Sequence, residues 1–202
     1  PVTKPTPAAT SVFRNLTLVG SYLRKQHEVL TLLILAFLIN FAAFPVIIGL
    51  LPVFARDELG TGALGLATLI WAVATGNFIG NVILGSVNAI NRPGRFVILT
   101  TLCWFVLLLV FSRSQSFVVA LTLMLLVGTA TSFTIVAMDM VMLRLTSPEF
   151  RGRVVGLRAM AVYGLPISLL ASGALADALG PSTAIVIVAL VGLTLTLSLV
   201  LW

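Results

Sequence analysis

Charge is what this chain has least of: Asp, Glu, Lys and Arg together make up 9% of its 202 residues. A water-soluble domain of that length clothes its core in polar side chains, and here there are too few to do so. One cysteine, Cys103, excludes an internal disulfide, and one histidine, His27, leaves a Cys/His metal cluster without ligands. Six acidic residues scattered along the chain give no converging acid–base set. No G-x-S-x-G elbow, HExxH helix or phosphate loop is present, so neither an enzyme nor a cofactor is expected. The net charge of +6 raises the question of nucleic acid, but the basic residues sit at the ends of apolar runs rather than on one water-facing surface. The first residues lack the basic start and apolar stretch of a secretory signal peptide, and a chain opening on Pro1 reads as a fragment of something longer.

What is present is hydrocarbon. Hydrophobic residues make up 59% of the chain, and they gather in runs long enough to cross a bilayer, which takes about 20 helical residues. Spans are expected at about 29–55, 64–90, 96–112, 117–143, 153–177 and 182–202. Only helices satisfy their own backbone in lipid without closing into a barrel, so six runs mean six helices, an all-α membrane protein. Ahead of them, residues 1–28 form a linker. Within it Phe13, Leu16, Val19 and Leu23 recur at helical spacing beside Arg14, Arg24 and Lys25. That is a short amphipathic helix, either lying on anionic membrane lipid or solvated as a linker.

Lys and Arg set the orientation. Lys4, Arg14, Arg24, Lys25, Arg92, Arg95, Arg144, Arg151 and Arg153 fall on one side, against Arg56 and Arg113 on the other. The positive-inside rule places both ends in the cytoplasm of a cell (inner) membrane protein. The segments 85–95 and 173–180 echo each other three spans apart, each a glycine-bearing helix end followed by Asn or Asp and another glycine. Two inverted three-helix repeats would produce that echo.

Polar groups inside the spans are the candidate functional residues, because each is costly in hydrocarbon. Asp139 and Arg158 lie nine and ten residues either side of Pro148, hence at similar depth. They are expected to pair, or each to meet a partner across a gate; Arg158 alternatively snorkels to the headgroups. Asp139 is either a proton-coupling site or half of a structural ion pair. Asn77 and Asn81 share a face of the second span, and Asn40 sits in the middle of the first. Asn40, Asn77 and Ser132 are the expected substrate-cavity residues, with Asn81 inclined to a helix–helix role beside its glycines. Gly76/Gly80 and Gly152/Gly156 permit close helix contact, and Pro45 and Gly164-Leu-Pro166 are expected to kink their spans.

Three motifs carry a resemblance. Gly173-x-Leu175-Ala176-Asp177-x-x-Gly180 and Asn91-Arg92-Pro93-Gly94-Arg95 resemble the loop motif of the major facilitator superfamily, with Asn91 where that motif has aspartate. Ser147 to Leu157 is similar to the start of the eleventh helix in the branch of enterobactin exporters and macrolide-efflux proteins, and 20–30 to its central linker and seventh helix. The resemblance implies helices seven to twelve of a twelve-helix antiporter, working by proton-coupled efflux of a small amphipathic substrate through alternating access. Its partners would be membrane lipid and the N-terminal six-helix half or a second copy. The alternative is a truncated membrane protein or scaffold that pairs with another chain without moving solute.

Overall fold

The computed structural model describes residues 26–87 and 92–201, and among these every regular element is helical. Six helices are long and apolar enough to cross a membrane: α1 (His27–Asp57), α2 (Ala63–Ser86), α3 (Pro93–Phe111), α4 (Phe117–Leu145), α5 (Arg151–Leu179) and α6 (Pro181–Leu201). The amphipathic segment up to residue 25 and Asn91 lie outside the described residues.

The turns follow from local chemistry. Pro93 and Pro181 open α3 and α6, where a missing N–H costs nothing. Gly180 closes α5 at φ +84°, a left-handed conformation open to glycine, while its N–H bonds back to Ala176 at 2.9 Å. Composition suggested that the second span runs to about residue 90, but α2 stops at Ser86. Val87 is already extended and the Ser86 hydroxyl turns back onto the Ile83 carbonyl at 2.7 Å. Gly85 followed by this back-bonding serine weakens the helix before its apolar run ends.

The helix neighbours show an internal symmetry. α2 packs on α4 and α5 on α1; α3 packs on α4 and α6 on α1; α3 and α6 meet each other. Exchanging α1 with α4, α2 with α5 and α3 with α6 maps these contacts onto one another, whereas the contact of α5 with α6 has no counterpart of its size between α2 and α3. Three spans per unit reverse the direction of travel, so this is the neighbour pattern of two inverted three-helix repeats.

Two kinds of packing hold the bundle. Between α2 and α4 the backbones touch: a Cβ at Gly76 would overlap the Leu125 carbonyl, and one at Gly128 the Val73 carbonyl. Thr129 donates its hydroxyl to the Gly76 carbonyl at 3.2 Å across this contact. Lipid removes the hydrophobic drive for helix association, so such close approach supplies the van der Waals contact instead. Between α1, α3 and α6 the core is aromatic. Phe54 meets Phe111 at 4.6 Å, Phe44 stands edge-on to Trp104 at 5.6 Å, and Gly192 makes room for Phe105. Gly152 and Gly156, the other small pair, face open space within this chain.

Candidate functional site

Two helices depart from α geometry where they face each other. In α1, π-helical turns run over Ile39–Ala43 and Val46–Leu50 on either side of Pro45. In α5, a 3-10 turn at Ala161–Tyr163 precedes Pro166. The cause in α1 is direct: Pro45 has no N–H to give the carbonyl four residues earlier, that of Phe41. Ser168 of α5 donates its hydroxyl to that carbonyl. Close by, Gly164 of α5 lies against the Phe37 ring of α1. The expected kink sites thus meet as a pair, with an interhelical hydrogen bond at the break.

Toward the arginine-rich side, α4 and α5 diverge and a charged link spans them. Arg158 donates Nε–H to Asp139 Oδ1 at 2.5 Å, from side chains that are 22% and 46% exposed. Asp139 stands six residues from the end of α4, about 9 Å into the helix. Arg158, seven residues into α5, is at matching depth. The two therefore meet because they are the same number of turns from one loop. Beside them is a cavity of about 360 Å³ between α4 and α5, which Arg151 also lines. Arg151 gives its Nε–H to the Thr146 carbonyl at 3.3 Å, bridging the end of α4 to the start of α5.

The amide and hydroxyl candidates are placed differently from one another. Asn40 is 8% exposed and donates to its own helix, Nδ2 to the Ala36 carbonyl at 2.8 Å. Asn81 is exposed, and Asn77 is half-buried on the same helix. Ser132 is buried against Gly80, and its hydroxyl has no hydrogen-bond partner among the described residues. None of the three cavities described in the bundle is lined by Asn40, Asn77 or Ser132. Helical spacing fixes which residues share a face but not which face the bundle covers.

Of the loop motif, Arg92, Gly94 and Arg95 are exposed at the start of α3. Gly173 and exposed Asp177 lie in the last two turns of α5, and Gly180 at its end. The two copies sit at opposite ends of the bundle, as an odd number of intervening spans requires. Two residues escaped the sequence reading. Ser168 had a signal, since Pro45 marks Phe41 as an acceptor in need of a donor. Arg151 had none beyond its charge.

Comparison with known proteins finds no curated protein and no solved structure that matches the chain. The family model of the Major Facilitator Superfamily matches residues 1–170. Most of the chain lies in that match, and the six membrane-length helices agree with it. The chain belongs to the major facilitator superfamily, a family of multi-pass membrane transporters rather than enzymes.

Proposed function

We propose that this chain is the C-terminal half, helices seven to twelve, of a twelve-helix exporter, with a likeness to the enterobactin and macrolide efflux branch. It would move a small amphipathic compound by proton-coupled alternating access, with the substrate cavity between this bundle and an N-terminal six-helix partner. Both ends of the chain would lie in the cytoplasm, a placement supported by Arg92, Arg95, Arg144, Arg151 and Arg153 at one end of the bundle against Arg56 and Arg113 at the other.

The observation that carries the reading is the Asp139–Arg158 pair. It ties together two helices that otherwise barely touch, and it does so near the mouth facing the arginine-rich side. Protonation of Asp139 removes one charge of the pair and leaves Arg158 free to find another partner. That is how a proton would bias the mouth between closed and open. Half-buried Asn77 and exposed Asn81 of α2 would line the cavity, while Ser132, buried against Gly80, and Asn40, bonded to Ala36, would contribute only once that packing is exchanged. The sparse burial of α2 and α5 relative to α1 and α4 supports a second bundle lying against them.

The test is reconstitution into proteoliposomes with and without the N-terminal half, with uptake of an amphipathic dye followed across a pH gradient. Gradient-driven uptake is expected only with both halves present, and Asp139→Asn is expected to abolish its pH dependence. Two halves that assemble yet move no dye would instead favour the scaffold reading. Unchanged pH dependence in the variant removes Asp139 from coupling.

A further inference from the structure

The α4–α5 cavity has more positive charge than its own pairing uses. Two guanidiniums, Arg151 and Arg158, line it against one carboxylate, Asp139, a net charge of +1. Arg158 is answered by Asp139. Arg151 has only the neutral Thr146 carbonyl, and no carboxylate lies within ion-pair distance of it among the described residues. A guanidinium carries five N–H donors in a rigid fork and cannot shed its charge. Arg151 is exposed at the first residue of α5, so its spare donors stand at the mouth of the cavity, where an anion can reach them.

The rest of the wall is apolar. Met142 and Leu143 of α4 face Val155 of α5 across the same space. A small inorganic anion would satisfy the arginine and leave this surface in contact with water. A molecule with one anionic head and an apolar body fits both parts of the wall. The volume of about 360 Å³ holds a head group and a short length of chain, not a whole lipid.

We propose that this cavity binds the head of a singly charged amphipathic anion, a phosphate- or carboxylate-bearing group docked on Arg151 and Arg158 with its apolar part along Met142, Leu143 and Val155. Two sources supply that chemistry: an anionic phospholipid of the leaflet on the arginine-rich side, and a free amphipathic solute. The site is this chain's own, and its binding does not depend on the export reading.

The test is binding to the purified chain in neutral detergent, with decyl phosphate as probe and inorganic phosphate and decyl maltoside as controls, read as a saturable shift in thermal unfolding. Decyl phosphate is expected to bind saturably, and Arg151→Gln to weaken it about tenfold, the loss of one hydrogen-bonded charge contact. Arg113→Gln, at the other end of the bundle, is expected to leave binding unchanged. Repeating the measurement in nanodiscs separates the sources. Competition by phosphatidylglycerol, absent with phosphatidylcholine, identifies the leaflet lipid; undiminished binding in both identifies a free solute. Equal affinity for inorganic phosphate, or an Arg151→Gln variant that binds as tightly as the parent chain, overturns the proposal. Because Arg151 lies at a helix start and its partner bond is to a carbonyl, Arg151→Lys serves as a second variant. It keeps the charge but loses the fork, and intermediate affinity is expected; affinity equal to that of Arg151→Gln would also count against the site.

Discussion

Ser168 of α5 gives its hydroxyl hydrogen to the carbonyl of Phe41 in α1, the acceptor that Pro45 leaves without its helical donor. The relationship joins a covalent fact to a tertiary one. Proline removes an N–H, the backbone of α1 loosens into π turns, and a neighbouring helix supplies the missing hydrogen bond. The same place is therefore the weakest stretch of α1 and the point at which α5 is tied to it.

Ser168→Ala removes the interhelical donor from the Phe41 carbonyl and is expected to cost about 1 kcal/mol, between the average of roughly 0.6 and the maximum of about 1.7 for interhelical bonds in membranes. Pro45→Ala restores an N–H four residues after Phe41. In that background Ser168→Ala is expected to cost measurably less, and a double-mutant cycle in mixed-micelle denaturation reads the difference. Equal costs in both backgrounds would separate the serine from the proline.

The α2–α4 contact makes a sharper contrast. Gly76→Ala and Gly128→Ala each place a methyl group on a backbone carbonyl of the facing helix. Neither neighbour has a flexible end that can yield, so each variant is expected to lose about 1–3 kcal/mol or to fail to assemble. Gly156→Ala adds the same methyl to open space and is expected to be neutral or slightly stabilising through helix propensity. Thermal midpoints of the three proteins in one detergent check the ordering.

Asp139→Asn leaves the Arg158 guanidinium without its carboxylate. The pair is partly exposed, Asp139 by nearly half, so the cost is expected near the 1 kcal/mol of screened pairs rather than the several of buried ones. Arg158→Gln alone is expected to cost a similar amount, and the double variant less than the sum. Additive costs would show that the two side chains touch without stabilising the bundle.

Much of the fold is legible in the sequence because hydrocarbon thickness imposes a length on each apolar run. The arginines mark the bends, and Pro93, Pro181 and Gly180 mark helix ends. The meeting of Asp139 with Arg158 is also readable, since both are counted outward from one loop. What the sequence hides is facing. In a soluble helix the polar stripe shows which side meets water; in a bilayer both the lipid and the core are apolar, and the stripe is absent. Hence Gly76 and Gly156, alike in their spacing, differ completely in what they touch. For the same reason, spacing alone does not show that Asn40 is buried and Asn81 exposed. The end of α2 at Ser86 is hidden for another: apolar residues continue past it, and only the hydroxyl turning back on Ile83 marks the stop.

The account stands on a bundle threaded six times through lipid with its arginine-rich turns on one side, and thiol labelling tests that most directly. In a Cys103→Ala background, single cysteines at Arg56, Arg113 and Glu149 are exposed to a membrane-impermeant reagent in intact cells and in inverted vesicles. The first two are expected to label only from outside the cell, and Glu149 only in the inverted vesicles. Labelling of Arg113 and Glu149 from the same compartment would mean that α4 does not cross, which contradicts the inverted repeat and the orientation built on it.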